Sequence, residues 1–274
     1  METGSLAEVS SYDREKPDNL ITESQSTTTP ALYPFDAEFI AVPFNARPDA
    51  PKPKIVYHKL RKPTLQQLKD REAQSKTELV SLNDREDEEN ADNWTATINL
   101  WERLIEGVKG YQGGTDWREL TAQEKAEMKP DHKYRAVVQM YAGSVMVEYG
   151  DEDADVPIGA ETWTIRHEIG AGKEPDFVVR HTLREPNEAE REKFKSARRI
   201  SYVRGKHTRT RINTNLQAYC DLYDALVLSI EGATVGGAPL TTANRKAFLA
   251  QIDAPWKRKI VEVLMNAMGG QSSD

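Results

Sequence analysis

VYHKLRKP (56–63) and VRHTLREP (179–186) are two versions of one segment, and their recurrence within a single chain determines the predicted fold. The two octapeptides agree at five positions, which are Val56/Val179, His58/His181, Leu60/Leu183, Arg61/Arg184 and Pro63/Pro186. A capping-box pattern follows each proline, Thr64 with Gln67 and Asn187 with Glu190, and this pattern marks the start of a helix. Each proline is therefore predicted to separate a β-strand from a helix.

Further matches keep the same order in both halves of the chain, which indicates an internal duplication. The clearest aligns LWERLIEGVKG (100–110) with LYDALVLSIEG (222–232). Weaker matches align RELTAQEKA (118–126) with LTTANRKA (240–247), and KYRAVVQM (133–140) with WKRKIVEV (256–263). The sequence therefore predicts two units of the same construction.

Each octapeptide also has a strand-like run upstream, EFIAVPF (38–44) and ETWTIRHEI (161–169), which predicts a β-hairpin at the start of each unit. The fold class is predicted as α+β, with two tandem copies of a β-hairpin followed by three to four helices. The units are placed at residues 37–150 and 151–274, and their boundary is placed within 149–160. Residues 1–36 are rich in Ser, Thr, Glu, Asp and Pro, and are predicted to be a disordered tail.

Apolar residues at three- and four-residue spacing predict a buried face on a long helix in each unit. The predicted core residues are Leu100, Leu104, Val108, Leu216, Tyr219, Tyr223, Leu226 and Ile230. Cys220, the single cysteine, lies in this pattern and is predicted to be a buried, unreactive thiol. His58 and His181 are predicted to be half-buried strand residues.

The sequence predicts neither a catalytic centre nor a cofactor or metal site. GAGKE (170–174) lacks the glycine and the hydroxyl residue of a phosphate-binding loop, and is interpreted as a hairpin connection. His167 and His181 are predicted to approach each other across a hairpin, but two imidazoles do not complete a zinc site. With no leader-like or membrane-spanning stretch, the chain is predicted to be cytoplasmic. With no recognisable catalytic motif, it is predicted not to be an enzyme.

The two units differ in charge in the connection that follows the capped helix. Residues 78–92 carry seven acidic residues and one arginine, whereas residues 193–211 carry eight lysines and arginines and no acidic residue. The candidate partner-binding residues are Asp84, Glu86, Asp87, Glu88 and Glu89 in the acidic segment, and Arg198, Arg199, Tyr202, Arg204, Lys206, Arg209 and Arg211 in the basic segment.

Three interpretations of these segments compete. In the first, both segments are solvated faces without a partner. In the second, the acidic segment contacts the basic segment of another unit or molecule. In the third, the basic segment is a nucleic-acid site. In the last case the arginines would contact phosphates and Tyr202 would stack on a base. The formal net charge of −7 argues against a protein that coats nucleic acid with its whole surface.

FVVRHTLRE (177–185) at the entry to the helices of the second unit, together with Phe248, Leu249, Ile252, Pro255 and Trp256 near the end, resembles bacteriophage tail assembly chaperones and related phage morphogenesis proteins. Those proteins have a single unit, so the tandem duplication departs from their pattern. The resemblance implies a structural or assembly role in the phage virion, association with virions, and action through a protein partner or self-association. The alternative prediction is a nucleic-acid-binding module that uses residues 193–211.

Overall fold

The computed structural model describes residues 31–47, 51–82, 85–149, 162–170, 175–198, 200–204, 208–213 and 215–269. These residues contain eight α-helices and thirteen β-strands, so the fold is α+β as predicted. The helices are α1 (Leu65–Gln74), α2 (Trp94–Leu104), α3 (Ala122–Glu127), α4 (Pro130–Gln139), α5 (Glu188–Ala197), α6 (Leu216–Leu226), α7 (Arg245–Gln251) and α8 (Ala254–Ala267). The strands are β1 (Tyr33–Pro34), β2 (Phe39–Asn45), β3 (Ile55–Arg61), β4 (Lys76–Leu82), β5 (Arg85–Asp92), β6 (Ile105–Lys109), β7 (Gly143–Glu148), β8 (Thr162–Ile169), β9 (Phe177–Arg184), β10 (Ile200–Arg204), β11 (Thr208–Asn213), β12 (Val227–Glu231) and β13 (Ala233–Thr234).

The strands form three antiparallel sheets and one short parallel pair. One sheet has the order β2-β3-β6, a second has the order β12-β9-β8-β7, and the third has the order β10-β11-β4-β5. Strand β1 pairs in parallel with β13. The first two sheets contain the predicted hairpins, β2–β3 and β8–β9, and each hairpin is followed by a helix.

Both predicted capping boxes are present at the helix starts. The Thr64 hydroxyl accepts a hydrogen bond from the Gln67 backbone N–H at 3.2 Å, and the Gln67 side chain accepts one from the Thr64 backbone N–H at 2.8 Å. Asn187 and Glu190 exchange the same two bonds at 2.9 and 3.0 Å. Because these bonds satisfy backbone donors that a helix start otherwise leaves free, they determine where α1 and α5 begin.

The predicted long helices are shorter than expected, because a strand follows each directly. Helix α2 ends at Leu104 and helix α6 at Leu226, and the next residue is already extended. Ile105 and Val227 are β-branched and begin strands β6 and β12, which pair with β3 and β9. Val108 and Ile230 are therefore strand residues rather than helix residues, although all the predicted core positions are buried.

The charged segments are strands rather than plain connections between helices. Strands β4 and β5 pair with each other, as do β10 and β11. Each hairpin thus stands between a capped helix and a long helix, where the sequence predicted a connection without strands of its own. The alternation of apolar and polar residues is weak in the acidic segment, so the hydrophobic pattern did not indicate strands there.

The folded part of the chain begins before residue 37. Tyr33 and Pro34 pair with Ala233 and Thr234, and Phe35 is fully buried against the rings of Phe248 and Tyr33. The predicted disordered tail was therefore too long by residues 31–36, because one large aromatic ring supplies enough buried surface to hold this short segment. The rest of that tail, residues 1–30, and most of the predicted boundary at 149–160 lie outside the described residues.

Candidate functional site: a sheet of two oppositely charged hairpins

The acidic and basic hairpins join in one four-stranded sheet. Strand β11 pairs antiparallel with β4, so that Thr210 lies opposite Glu78 and Arg209 opposite Leu79. Since β4 belongs to the acidic segment and β11 to the basic segment, two stretches more than a hundred residues apart in the chain become neighbours. The sheet, here called the charged sheet, consists of β10, β11, β4 and β5.

The charged sheet contains most of the candidate residues. Strand β5 carries Glu86, Asp87, Glu88 and Glu89, strand β10 carries Tyr202 and Arg204, and strand β11 carries Arg209 and Arg211. Arg198 directly follows α5, with its guanidinium 5.7 Å from the centre of the Phe194 ring. Asp84, Arg199 and Lys206 lie outside the described residues. The structure therefore brings together, in one sheet, residues that the sequence assigned to two separate units.

The opposite ends of this sheet differ in composition. Strand β5 is one edge, and its eight residues include five acidic residues and one arginine. Strand β10 is the other edge and forms a hairpin with β11, in which Tyr202 lies opposite Arg211 and Arg204 opposite Arg209. The β-propensity of β5 is low, since Glu, Asp and Asn are disfavoured in strands, whereas β10 contains Ile, Tyr and Val.

Ion pairs and hydrogen bonds fix the helices that lead into the charged sheet. Helix α1 ends one residue before β4, and its Glu72 carboxylate accepts a hydrogen bond from the Leu216 backbone N–H at 3.0 Å. The Arg258 guanidinium lies 3.6 Å from the other Glu72 oxygen. Arg71 donates to the Thr97 hydroxyl at 3.1 Å. These contacts attach α1, which precedes β4 in the chain, to α2, α6 and α8.

Buried aromatic and imidazole groups form a hydrogen-bonded chain under the first sheet. The Trp101 indole N–H donates to His58 Nδ1 at 2.8 Å, so the proton of neutral His58 resides on Nε2. His58 Nε2 then donates to the Tyr111 hydroxyl at 2.8 Å, and this hydroxyl donates to His132 Nδ1 at 3.0 Å. Burial and the nearby His132 lower the pKa of His58 to about 3. His58 is thus fully buried, and the prediction of a half-buried residue was wrong.

A second histidine cluster lies under the β8–β9 hairpin. The Tyr223 hydroxyl and His181 Nδ1 are 2.8 Å apart, and the His167 ring lies 5.7 Å from His181 and 4.1 Å from Trp256. Burial holds the pKa of His167 well below its usual value and lowers that of His181 to about 3, so both are neutral. The predicted approach of the two rings is confirmed. Among the described residues, no group of three or more potential ligands could hold a metal ion.

Several buried charges were missed by sequence reasoning. Lys62 lies 3.2 Å from the Asp253 carboxylate and also contacts the backbone oxygens of Phe35 and Gln251, beside a cleft of about 630 Å³. Burial raises the pKa of Asp253 to about 6. Lys257 forms an ion pair with Asp224 at 2.6 Å. Each of these carboxylates is paired with a lysine, and both ion pairs line the same cleft as Cys220.

Cys220 is buried, and burial raises the pKa of its thiol to about 12, so the thiolate needed for nucleophilic chemistry does not form at neutral pH.

Within the described part of the chain, every helix is too short or too polar to cross a lipid bilayer. Comparison of the chain with protein-family models, with curated proteins and with solved structures finds no match.

Proposed function

We propose that this chain is a non-enzymatic structural or assembly protein that acts through protein–protein contacts of the charged sheet. The observation that supports this most directly is the pairing of β4 with β11, which places an acidic hairpin and a basic hairpin at opposite ends of one surface. Complementary charge of this kind steers association and sets the orientation of partners. The proposed location is the cytoplasm, and the resemblance of FVVRHTLRE (177–185) suggests tail assembly in a phage virion as the setting.

The buried groups described above support a structural role. His58, His181 and Tyr223 are completely inaccessible, so no substrate reaches them without unfolding of the surrounding core. Their pKa values are shifted by burial, and their hydrogen bonds join strands to helices. Perturbed pKa values also occur in catalytic sites, where the groups converge on an accessible pocket, whereas the side chains of these three residues are fully buried.

The same proposal includes a tandem duplication as the origin of the chain, because equivalent contacts occur in both halves. Trp101 bonds to His58 as Tyr223 bonds to His181. A second pair of contacts is similar, Glu102 with Lys133 at 2.8 Å and Asp224 with Lys257 at 2.6 Å, where Lys257 lies one residue after the position aligned with Lys133. A duplication explains how two hairpins of one ancestral sequence came to carry opposite charges and to pair with each other.

Sedimentation velocity at low and high salt tests the proposal. The wild type is expected to form oligomers at low ionic strength that dissociate as salt screens the charges, since the Debye length falls from about 30 Å at 0.01 M to about 3 Å at 1 M. Reversal of Arg198, Arg199, Arg204 and Lys206 to Glu is expected to abolish these oligomers. A wild type that is monomeric at every salt concentration would contradict the proposal.

A matched control separates the charged sheet from net charge. This control changes four exposed lysines outside the sheet to Glu: Lys52, Lys54, Lys129 and Lys246. It changes the net charge by the same amount and is expected to leave the oligomers intact.

Added DNA or RNA distinguishes the alternative function, a nucleic-acid-binding module on residues 193–211. Binding of nucleic acid by a monomer, with an affinity that falls steeply with salt, would favour that alternative.

A further inference from the structure

Both outer strands of the charged sheet lack a neighbour on one side among the strands that the structure describes. Strands β5 and β10 stand at the two ends of the order β10-β11-β4-β5. An edge strand exposes a row of unpaired backbone N–H and C=O groups, which another strand can pair with. We propose that copies of this chain associate head to tail, with β5 of one copy pairing with β10 of the next. This proposal rests on the proposed function.

The strand directions fit this arrangement. All three pairings within the charged sheet are antiparallel, so the four strands alternate in direction from β10 to β5. Strands β10 and β5 therefore run in opposite directions. When a second copy is placed beside the first in the same orientation, its β10 runs antiparallel to β5 of the first copy. The sheet then continues with the antiparallel pattern that it already has, and no copy has to be inverted.

The charges favour the same arrangement over a symmetric contact between two β5 strands. Strand β5 has five acidic residues, whereas β10 is followed in its hairpin by Arg209 and Arg211 and itself ends in Arg204. A symmetric dimer that paired β5 with β5 would place like charges opposite one another, which is destabilising in a sheet. Pairing β5 with β10 places Arg204 at the acidic edge, with Arg209 and Arg211 on the next strand inward. The charges thus favour this heterologous contact over an isologous β5–β5 contact.

A heterologous contact does not stop at two subunits. Each copy that joins offers the same free edge as the copy before it, so the products are closed rings or open filaments. A two-fold contact would instead end at a dimer. The expected distribution of masses is therefore a ladder that grows with protein concentration, or a single ring larger than a dimer.

A charge-exchange experiment tests the pairing. One variant reverses the acidic edge, with Glu86, Asp87, Glu88 and Glu89 changed to Lys, and a second reverses the basic hairpin, with Arg198, Arg199, Arg204 and Lys206 changed to Glu. The first variant then has two basic ends and the second has two acidic ends, so neither is expected to associate alone. An equimolar mixture restores an opposite-charge contact at every junction, and is expected to form alternating oligomers of the wild-type size at low salt.

The outcome separates this inference from the proposed function. If the wild type associates but the mixture remains as monomeric as its components, self-association stands and the β5–β10 contact is wrong. If the wild type does not associate, the proposed function itself fails. Circular dichroism and thermal melting of both variants establish that each is folded before mixing.

Cross-linking with a short bis-maleimide provides a readout that does not depend on charge reversal. A chain that carries both Glu88→Cys and Tyr202→Cys is expected to form covalent ladders beyond the dimer, while each single-cysteine variant is expected to remain largely uncoupled. Efficient dimers from Glu88→Cys alone would overturn the proposal in favour of a two-fold contact. The wild type is the control, since its one cysteine, Cys220, is buried.

Discussion

Replacement of Gly232 by Ala tests the close approach of β12 to β9. Gly232 has a φ of +81°, and a Cβ added there would lie 2.3 Å from the Val178 backbone oxygen, whereas ordinary contact begins at 3.4 Å. Gly113 provides a matched control, because its φ is +78° and a Cβ added there meets nothing within 4 Å. Both substitutions therefore carry the same free-energy cost of a left-handed backbone conformation, and only Gly232→Ala adds a steric clash.

The magnitude follows from these distances. The left-handed conformation costs an L-residue about 1–2 kcal/mol, and the reduced entropy of the unfolded chain returns about 0.4–1 kcal/mol, so Gly113→Ala should destabilise by about 1 kcal/mol. Gly232→Ala must also move backbone by 1.1 Å, which is 3.4 minus 2.3. That movement disturbs the neighbouring pair of Glu231 with Arg180 and the hydrogen bond from Tyr33 N–H to Gly232 O. At about 1 kcal/mol for each lost hydrogen bond, Gly232→Ala should cost at least about 2 kcal/mol more than Gly113→Ala.

Urea denaturation followed by tryptophan fluorescence measures this difference. Gly232→Ala is expected to unfold at a clearly lower urea concentration than Gly113→Ala, with the wild type above both. Equal midpoints for the two variants would show that β9 and β12 do not approach as closely as described.

Three further changes test the buried groups by chemical denaturation. Tyr223→Phe should lower the unfolding free energy by about 1–3 kcal/mol, because it leaves a buried histidine without its hydrogen-bond partner, while Tyr149→Phe, at a residue 77% exposed, should have no effect. Lowering the pH from 6.5 should destabilise the wild type, because the depressed pKa values of the buried histidines make the unfolded state bind more protons than the folded state. His167→Phe should reduce this dependence of the unfolding free energy on pH. An unchanged dependence in this variant would show that His167 is not buried in its neutral form. Phe35→Ala should cost about 3–5 kcal/mol, whereas Leu32→Ala, 52% exposed, should be close to neutral; equal small effects would mean that residues 31–36 do not belong to the folded part.

Local signals in the sequence predicted the elements that depend on near neighbours. Strands β2, β3, β8 and β9 overlap the segments 38–44, 56–63, 161–169 and 179–186, in which the sequence predicted strands. The starts of α1 and α5 followed from Thr64 and Asn187, because a capping box is complete within four residues. The core positions of the long helices were also found, since burial requires only that a residue be apolar and regularly spaced.

Other features depend on residues that are distant in the chain. Helices α2 and α6 end early because Ile105 and Val227 gain strand partners in β3 and β9, and the propensity of the local sequence contains no such information. The complete burial of His58 depends on hydrogen bonds to Trp101 and Tyr111, which lie 43 and 53 residues away. The buried pair of Lys62 with Asp253 joins residues from opposite halves of the chain.

The charged sheet shows the same division. That one segment is acidic, that the other is basic and that both follow a capped helix could be predicted from the sequence, because charge and capping are properties of residues and their immediate neighbours. The pairing of β4 with β11, which makes the acidic and basic hairpins the two ends of one sheet, is visible only in the folded chain. Strands β4 and β11 pair through backbone hydrogen bonds, and the packing of α1 against α2 and α6 brings their segments together. Because every residue type except proline can form the same backbone hydrogen bonds, the sequence contains no local signal for this pairing.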